Sequence, residues 1–576
     1  MKPSETKEAI RKAVQDAIRD SPRVLIDTVS GRLMDKSKQA SSFESLPVYK
    51  EMISSMTTSI DHARIEQEVT QYYRYATFSH RWEDNEPLFE KAIHVVVYEL
   101  EDSLTHHKLQ MFCKIVRDAG FNWAWSDTCC INKADHFVLQ EALVAMFKWY
   151  EGSTVTIVYL RDVHSPSRRG DLMKSIWNTR AWTFQEYHAS KVVRFYTEDW
   201  TPYLNLDIPN HKESPEIISE MEEATGVSAQ TLIALRQGTD DIREKLCLAS
   251  RRETTLVEDV AYSLFGVFSA SLPIVYGEGD RALGRLLAQL LTSSGDTSIL
   301  AWTGKSGPFN SCLPANISVF SELSPKHIPP AINNAELDLN TARLHASSLN
   351  VSLVQKLYEQ LRGLPVPMFV GKRMKLPCIA FKLGPLRPSI PRDKSERIYR
   401  AQATALGAVE IRTKDDLSRL DSLYLVHPWI DFLLQRHPVG SGIETVLEGE
   451  GGTDDQLSLM GEVPLSPSRF NTPRISRTRT IVSRLGFPFS GRSATPPRDA
   501  SSLRPPSSIS EDDKRMRALQ FVTRLRQPFG ALLFTPTRQN VAEYKRVASE
   551  SHITVQVQED APWNALIENA RMLDVL

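Results

Sequence analysis

The sequence predicts an α/β fold class: a flavodoxin-like parallel sheet, a helical extension, and a β-rich second domain interrupted by a disordered insertion. Three observations predict it. Between residues 71 and 200, short apolar runs alternate with amphipathic helical patterns, an order that gives parallel strands joined by right-handed crossovers. Residues 201–305 read as helical, and residues 306–447 and 516–576 carry short strand-like runs. Residues 448–515 break that pattern, being acidic at first and then rich in Ser, Pro, Thr and Arg, so the spacing predicts a loop inside one β-rich domain.

Taken in order, residues 1–70 read as an exposed helical lead. Arg74–Ser79 (RYATFS) is the first predicted strand. A helix over Leu104–Ala119 places Leu109, Phe112, Cys113 and Val116 on one stripe and stops at Gly120. In FNWAWSD, Phe121, Trp123 and Trp125 alternate as on one strand face. The next helix covers Phe137–Tyr150, with Leu143, Met146, Phe147 and Tyr150 together. Thr154–Leu160 (TVTIVYL) is nearly unbroken in apolar character, which suits a central strand. Leu172–His188 reads as a third helix and Lys191–Tyr196 as a fourth strand. Beyond Pro202, helices are expected at Ala229–Arg236, Asp259–Gly266 and Arg281–Leu291. MKLPCIAFKL and LYLVHPWI read as strands, and so do RALQFVTRLRQPFGALLF and HITVQVQ.

Composition narrows the function classes. The chain has 576 residues, enough for three or four domains. With 69 basic against 70 acidic side chains, it has no global pull toward nucleic acid or an anionic membrane. Six scattered cysteines without a CxxC pair predict thiols in a reducing, cytoplasmic setting, and no cluster has the spacing of a metal site. No run of eighteen apolar residues occurs, so no membrane span is expected. Eight arginines from Arg469 to Arg504 face only Asp499. Few aromatic platforms are interleaved with them, which makes a weak nucleic-acid signal. Ser-Pro and Thr-Pro steps there are candidate phosphorylation sites, beside the plainer reading of a solvated linker.

Three segments carry a family resemblance: YATFSHRWEDNEP (Tyr75–Pro87), WAWSDTCCINK (Trp123–Lys133) and SIWNTRAWTFQE (Ser175–Glu186). They resemble the blocks that define the fungal heterokaryon-incompatibility (HET) domain, especially in mushrooms. ASRRETTLVEDVAYSLFGVF, the LPIVYGEG that follows, and the C-terminal AEYKRVAS also look like segments found beside it. The resemblance implies a role in non-self recognition when hyphae fuse and in the programmed cell death that follows. Self-association through the domain and a protein partner of unknown identity are implied too. The HET family is itself similar to Toll/interleukin-1 receptor (TIR) domains. Many of those cleave NAD using a Glu in a WCxxE-like segment, a place that Glu186 holds here. That parallel implies a TIR-like sheet, with NAD as a substrate and no prosthetic group.

The chemistry fits the residue types. Ligands of open parallel sheets bind beyond the carboxyl ends of the strands, where Ser79, His80, Arg81 and Trp82 follow one strand and Asp127 another. Cleaving the nicotinamide–ribose bond generates an oxocarbenium-like centre that a carboxylate stabilises. Glu186, Asp127 and Ser79 are therefore the catalytic candidates. Arg81 is placed to meet a phosphate, and Trp82 and Trp182 to stack on flat rings. Each has a plainer alternative. Glu186 also reads as a surface partner of Arg180 or Arg194, and Asp127 as a helix cap. The tryptophans also read as core, His80 as a hydrogen-bonded loop residue, and Cys129 as a buried thiol. The glycine-rich YGEGDRALG lacks phosphate-loop spacing and reads as a turn into a helix. A non-enzymatic module that oligomerises and recruits death effectors is the competing function.

Overall fold

The structure, a computed structural model, describes residues 3–101, 103–234, 237–321, 351–389, 397–420, 422–429, 511–537, 542–558 and 560–576. Its first sheet has six strands in the order β2-β1-β4-β3-β5-β6. These are β1 (Val24–Asp27), β2 (Leu33–Asp35), β3 (Tyr75–His80), β4 (Trp123–Trp125), β5 (Val155–Tyr159) and β6 (Val193–Tyr196). β3 to β6 run parallel, whereas β1 joins β4 antiparallel through Ile26 opposite Ala124. The sheet is thus mixed. All six residues of β3 are buried, as an apolar run in a central strand requires. Along β5 and β6, Ile157 and Tyr196 belong to the main core, while their neighbours Val158 and Phe195 join a second core on the other face.

The first seventy residues are not an exposed lead. Helix α1 (Pro3–Ile18) buries Ile10, Val14 and Ile18, one turn apart, in the main core. After it, β1 and β2 form a hairpin on the sheet edge. Asp27 shapes that turn by accepting the Val29 amide (2.9 Å). Gly31 adopts φ +69°, and a Cβ there would lie 2.8 Å from the Tyr98 ring, so only glycine fits. Strands of four and three residues are too short for a period of two to be visible in the sequence. Helices α2 (Lys36–Glu44), α3 (Pro47–Ser55) and α4 (His62–Tyr72) complete this part.

Further along, α5 (Phe89–Ala92) precedes α6 (Leu104–Asp118) and α7 (His136–Gly152), the last two at the expected places. The third expected helix is broken. It becomes α8 (Asp171–Lys174), a 3-10 turn (Ile176–Thr179) and α9 (Ala181–Ala189). Asp162 makes the break, accepting the Ser175 hydroxyl (2.7 Å) and the Ile176 amide (2.7 Å) in place of a helical ladder. The turn directs Trp177 inward. The helical extension contains α10 (Pro215–Thr225), α11 (Ala229–Ala234), α12 (Ile242–Ser250), α13 (Asp259–Tyr262) and α14 (Arg281–Ser294).

The β-rich part is drawn from both sides of residues 430–510, so the expected Ser/Pro/Arg-rich loop lies almost wholly outside the described residues. Five strands close a ring by pairing: Arg373–Lys382, Tyr424–Pro428, Phe529–Pro536, Glu543–Val547 and Ala570–Val575. Two helices, Val351–Arg362 and Glu511–Leu525, stand in this β-rich part, the second overlapping the RALQFVTRL segment that reads as strand-like. In the second, Ala518, Val522 and Leu525 are buried at helical spacing, a period that the sequence reading mistook for alternation. Arg546 ties this part to the extension. It is buried and donates to the carbonyls of Leu300 (2.8 Å) and Trp302 (2.7 Å), with its guanidinium 3.7 Å from the Trp302 ring centre.

Truncating Arg546 leaves the Trp302 carbonyl without its donor and the Leu300 carbonyl with only the Trp302 amide (3.1 Å). Arg546→Met is expected to cost about 2–3 kcal/mol in urea unfolding, and Arg546→Lys, which cannot fork, to recover little of it. A loss below about 0.5 kcal/mol would show that the clamp is dispensable.

Candidate functional site

Strand β3 ends in Ser79 and His80, with Arg81 and Trp82 just beyond, while Asp127 follows β4 and Glu186 lies in α9. The two strand ends and the helix meet. Ser79, fully buried, accepts from the Trp177 indole (2.9 Å) and donates to Glu186 (2.5 Å). Asp127 accepts from the Trp82 indole (2.9 Å). The Trp82 ring in turn has Lys133 Nζ 3.6 Å and the Arg180 guanidinium 5.1 Å from its centre.

Glu186 is 3% exposed, so it is not the surface partner of Arg180 or Arg194; Arg194 pairs with Asp207. Burial and then the negative charge of Asp127 push its carboxyl up to about 8. Arg180, the hydrogen bond from Ser79 and Arg252 act in the opposite direction and do not offset that rise. Glu186 is therefore mostly protonated near neutral pH. A line of hydroxyls crosses the sheet to the same helix: Thr77 bonds Thr156 (2.7 Å), Thr156 bonds Ser190 (2.5 Å), and Ser190 donates to the Glu186 carbonyl (2.6 Å).

A cleft of about 270 Å³ opens at the carboxyl ends of β3 and β5, with Arg81, Trp82, Tyr159, Arg161 and Trp177 in its walls. Ser79 and Glu186 do not line it. They stand one and two hydrogen bonds behind Trp177, which does. Of the expected ring-stacking residues, Trp82 is in the wall. Trp182 is not, because its indole donates to Asp259 (3.1 Å) on α13. Trp123 and Trp125 are core, 1% and 0% exposed.

His80 is a buried strand end rather than a loop residue, its Nε2 3.5 Å from Glu86. Burial, and then the charge of Lys108, lower its pKa and keep it neutral. Lys108 also bonds Glu86, and it reaches Glu83 at 3.3 Å. Burial alone would raise the Glu86 carboxyl, but His80 and Lys108 together bring it below its ordinary value. All six cysteines are buried thiols. In YGEGDRALG the amides of Gly277 and Gly279 both donate to Glu258 (2.8 and 2.9 Å), so the protein's own carboxylate occupies that turn.

Sequence reasoning missed Trp177, Lys133 and Arg252. Trp177 was hidden by reading its segment as continuous helix, and nothing in the spacing of Arg252 pointed to α9.

The site thus sits on a mixed α/β sheet, with a cleft past the ends of its parallel strands β3 and β5. Residues 75–170 match the family model "Heterokaryon incompatibility protein (HET)". Vegetative incompatibility protein HET-E-1 of Podospora anserina is 32% identical over 226 residues, 37% of this chain and 16% of that protein. The chain thus spans only about a sixth of that relative's length. No solved structure matches. Residues 75–170 thus resemble a HET domain, and part of the chain is similar to a fungal vegetative incompatibility protein.

Because folding raises the Glu186 pKa, the stability it contributes is complete below about pH 4.5 and is lost as pH rises through about 8. Glu186→Gln stays neutral and removes that slope. The melting temperature of the variant minus that of the parent is expected to rise between about pH 5 and pH 8.5. A difference that stays flat across this range would mean that the carboxyl titrates at an ordinary value.

Proposed function

We propose that this chain acts in fungal heterokaryon incompatibility, in non-self recognition and the programmed cell death that follows, and that its HET domain does so by TIR-like cleavage of NAD. The observation that carries this reading is the meeting of Ser79, Asp127 and Glu186 behind a cleft at the strand ends. The printed name of the Podospora relative, a vegetative incompatibility protein, supports the biological part. The parallel strands, counted in chain order, lie 2-1-3-4 across the sheet. That order is shared with flavodoxin-like folds, whose ligands sit at the crevice between the first and third strands, and it supports a TIR-like assignment. Unpaired buried thiols suit a cytoplasmic setting.

In the reaction, water adds to the anomeric carbon of the ribose. Nicotinamide leaves with the bonding pair as a neutral molecule, and one proton is released. Glu186, as carboxylate, stabilises the positive ribose. Ser79 and Asp127 orient the sugar or the water, and Trp82 offers a flat face. Arg81, exposed at the mouth, meets a phosphate. The cleft suits the nicotinamide–ribose half, with the remainder of the dinucleotide across the surface at Arg81. NAD is substrate here, not a resident cofactor.

A second reading draws on a specific observation: Glu186 and Ser79 do not line the cleft. In it, the buried carboxyl locks α9, and the domain works by self-association and recruitment of a protein partner.

Purified full-length chain mixed with NAD separates the two. Nicotinamide release is expected, with kcat/KM rising with pH through about 8 and levelling above it as Glu186 ionises. Glu186→Gln is expected to lower it at least about 100-fold. No release by the parent, or equal turnover by Glu186→Gln, favours the recruiting module, in which Glu186→Gln still kills on overexpression.

A further inference from the structure

Helix α9 carries Glu186, and much of what fixes α9 comes from beyond the matched block at 75–170. The segment after α12 adds a parallel rung to the helix start: the Glu253 amide donates to the Thr179 carbonyl (2.6 Å), and the Ala181 amide donates to the Glu253 carbonyl (3.0 Å). Beside it, Arg252 is 7% exposed. Its guanidinium donates to the Arg180 carbonyl (3.0 Å) and the Thr183 hydroxyl (2.8 Å), and lies 5.5 Å from the Phe184 ring centre.

These acceptors are neutral. A buried guanidinium keeps its charge and is costly to bury without an opposing one. Thr183 and Glu186 are three residues apart on one helix face, so the charge fixed at Thr183 faces the Glu186 carboxyl. Four other groups face Glu186 from the packed elements. Asp127 beyond β4 opposes its ionisation, Arg180 at the helix start favours it, Ser79 donates to it, and Tyr150 of α7 stays a neutral phenol. Of the two arginines, Arg180 lowers the Glu186 carboxyl more, and Arg252 adds to that effect from a buried position.

We propose that Arg252, supplied by the helical extension, is the positioning residue of the HET-domain site: its two hydrogen bonds set the first turn of α9, and its buried charge permits Glu186 to ionise. The functional part of this inference rests on Glu186 as the working carboxylate. The extension is then part of the site, and Glu186 and both of its arginines lie beyond the matched block at 75–170.

The test uses the full chain with Arg252→Gln, which still donates but is neutral, and Arg252→Lys, which keeps the charge. For each, the melting temperature with and without Glu186→Gln is followed across pH, and the pH at which the slope of the difference has fallen to half near its upper end is the midpoint of Glu186 ionisation in the folded chain. Arg252→Gln is expected to move that midpoint up by about one unit, and Arg252→Lys to leave it near the parent's. An unmoved midpoint in folded Arg252→Gln overturns the assignment and leaves Arg252 as a packing clamp. If Arg252→Gln does not fold, Thr183→Val, which removes one of the guanidinium's two acceptors, takes its place: an upward shift supports the proposal and none overturns it. The midpoint needs no NAD turnover. A shifted midpoint in a chain that never releases nicotinamide therefore sinks the NAD reading alone.

Discussion

A carboxyl group removed from water must be hydrogen-bonded, neutral or matched by charge, and the surroundings of Glu186 follow from that condition. Ser79 supplies the hydrogen bond from the end of β3, and is itself held by Trp177 from the broken segment before α9. Asp127 and burial keep the group protonated near neutrality, and Arg180 and Arg252 moderate that effect. The hydroxyls of Thr77, Thr156 and Ser190 tie the same helix to two strands from below. Removing Ser79 from this network would therefore loosen the strand end, the cleft wall and the helix together.

The elements that the sequence displayed were those long enough to show a period. The α6 and α7 stripes and the apolar run of β5 fall within two residues of their expected limits. The β1–β2 hairpin did not show, because three or four residues in a polar setting carry no readable alternation. The segment before α9 looked helical by composition. Asp162, ten residues or more away, competes for its backbone, and a window of local sequence does not contain that competitor.

The site was legible in the same uneven way. Ser79, Asp127 and Glu186 were found because loops after parallel strands share one rim and because the motif blocks are distinctive. Their burial was not legible, nor was the turn of Trp182 toward Asp259, since both depend on the extension packing against α9. Long-range partners such as Arg252 and Arg546 act on carbonyls and hydroxyls 69 to 246 positions away in the chain, so only the fold reveals them.

The state of the Glu186 carboxyl is the quantity on which both the chemistry and the packing turn. Carbon-13 labelling of glutamate side chains in the full protein, with the Glu186 resonance assigned by its loss in Glu186→Gln, measures it directly. A carboxyl signal that titrates near pH 8 is expected. One that titrates near 4.5, the ordinary value for glutamate, would contradict a buried carboxyl held neutral at the strand ends.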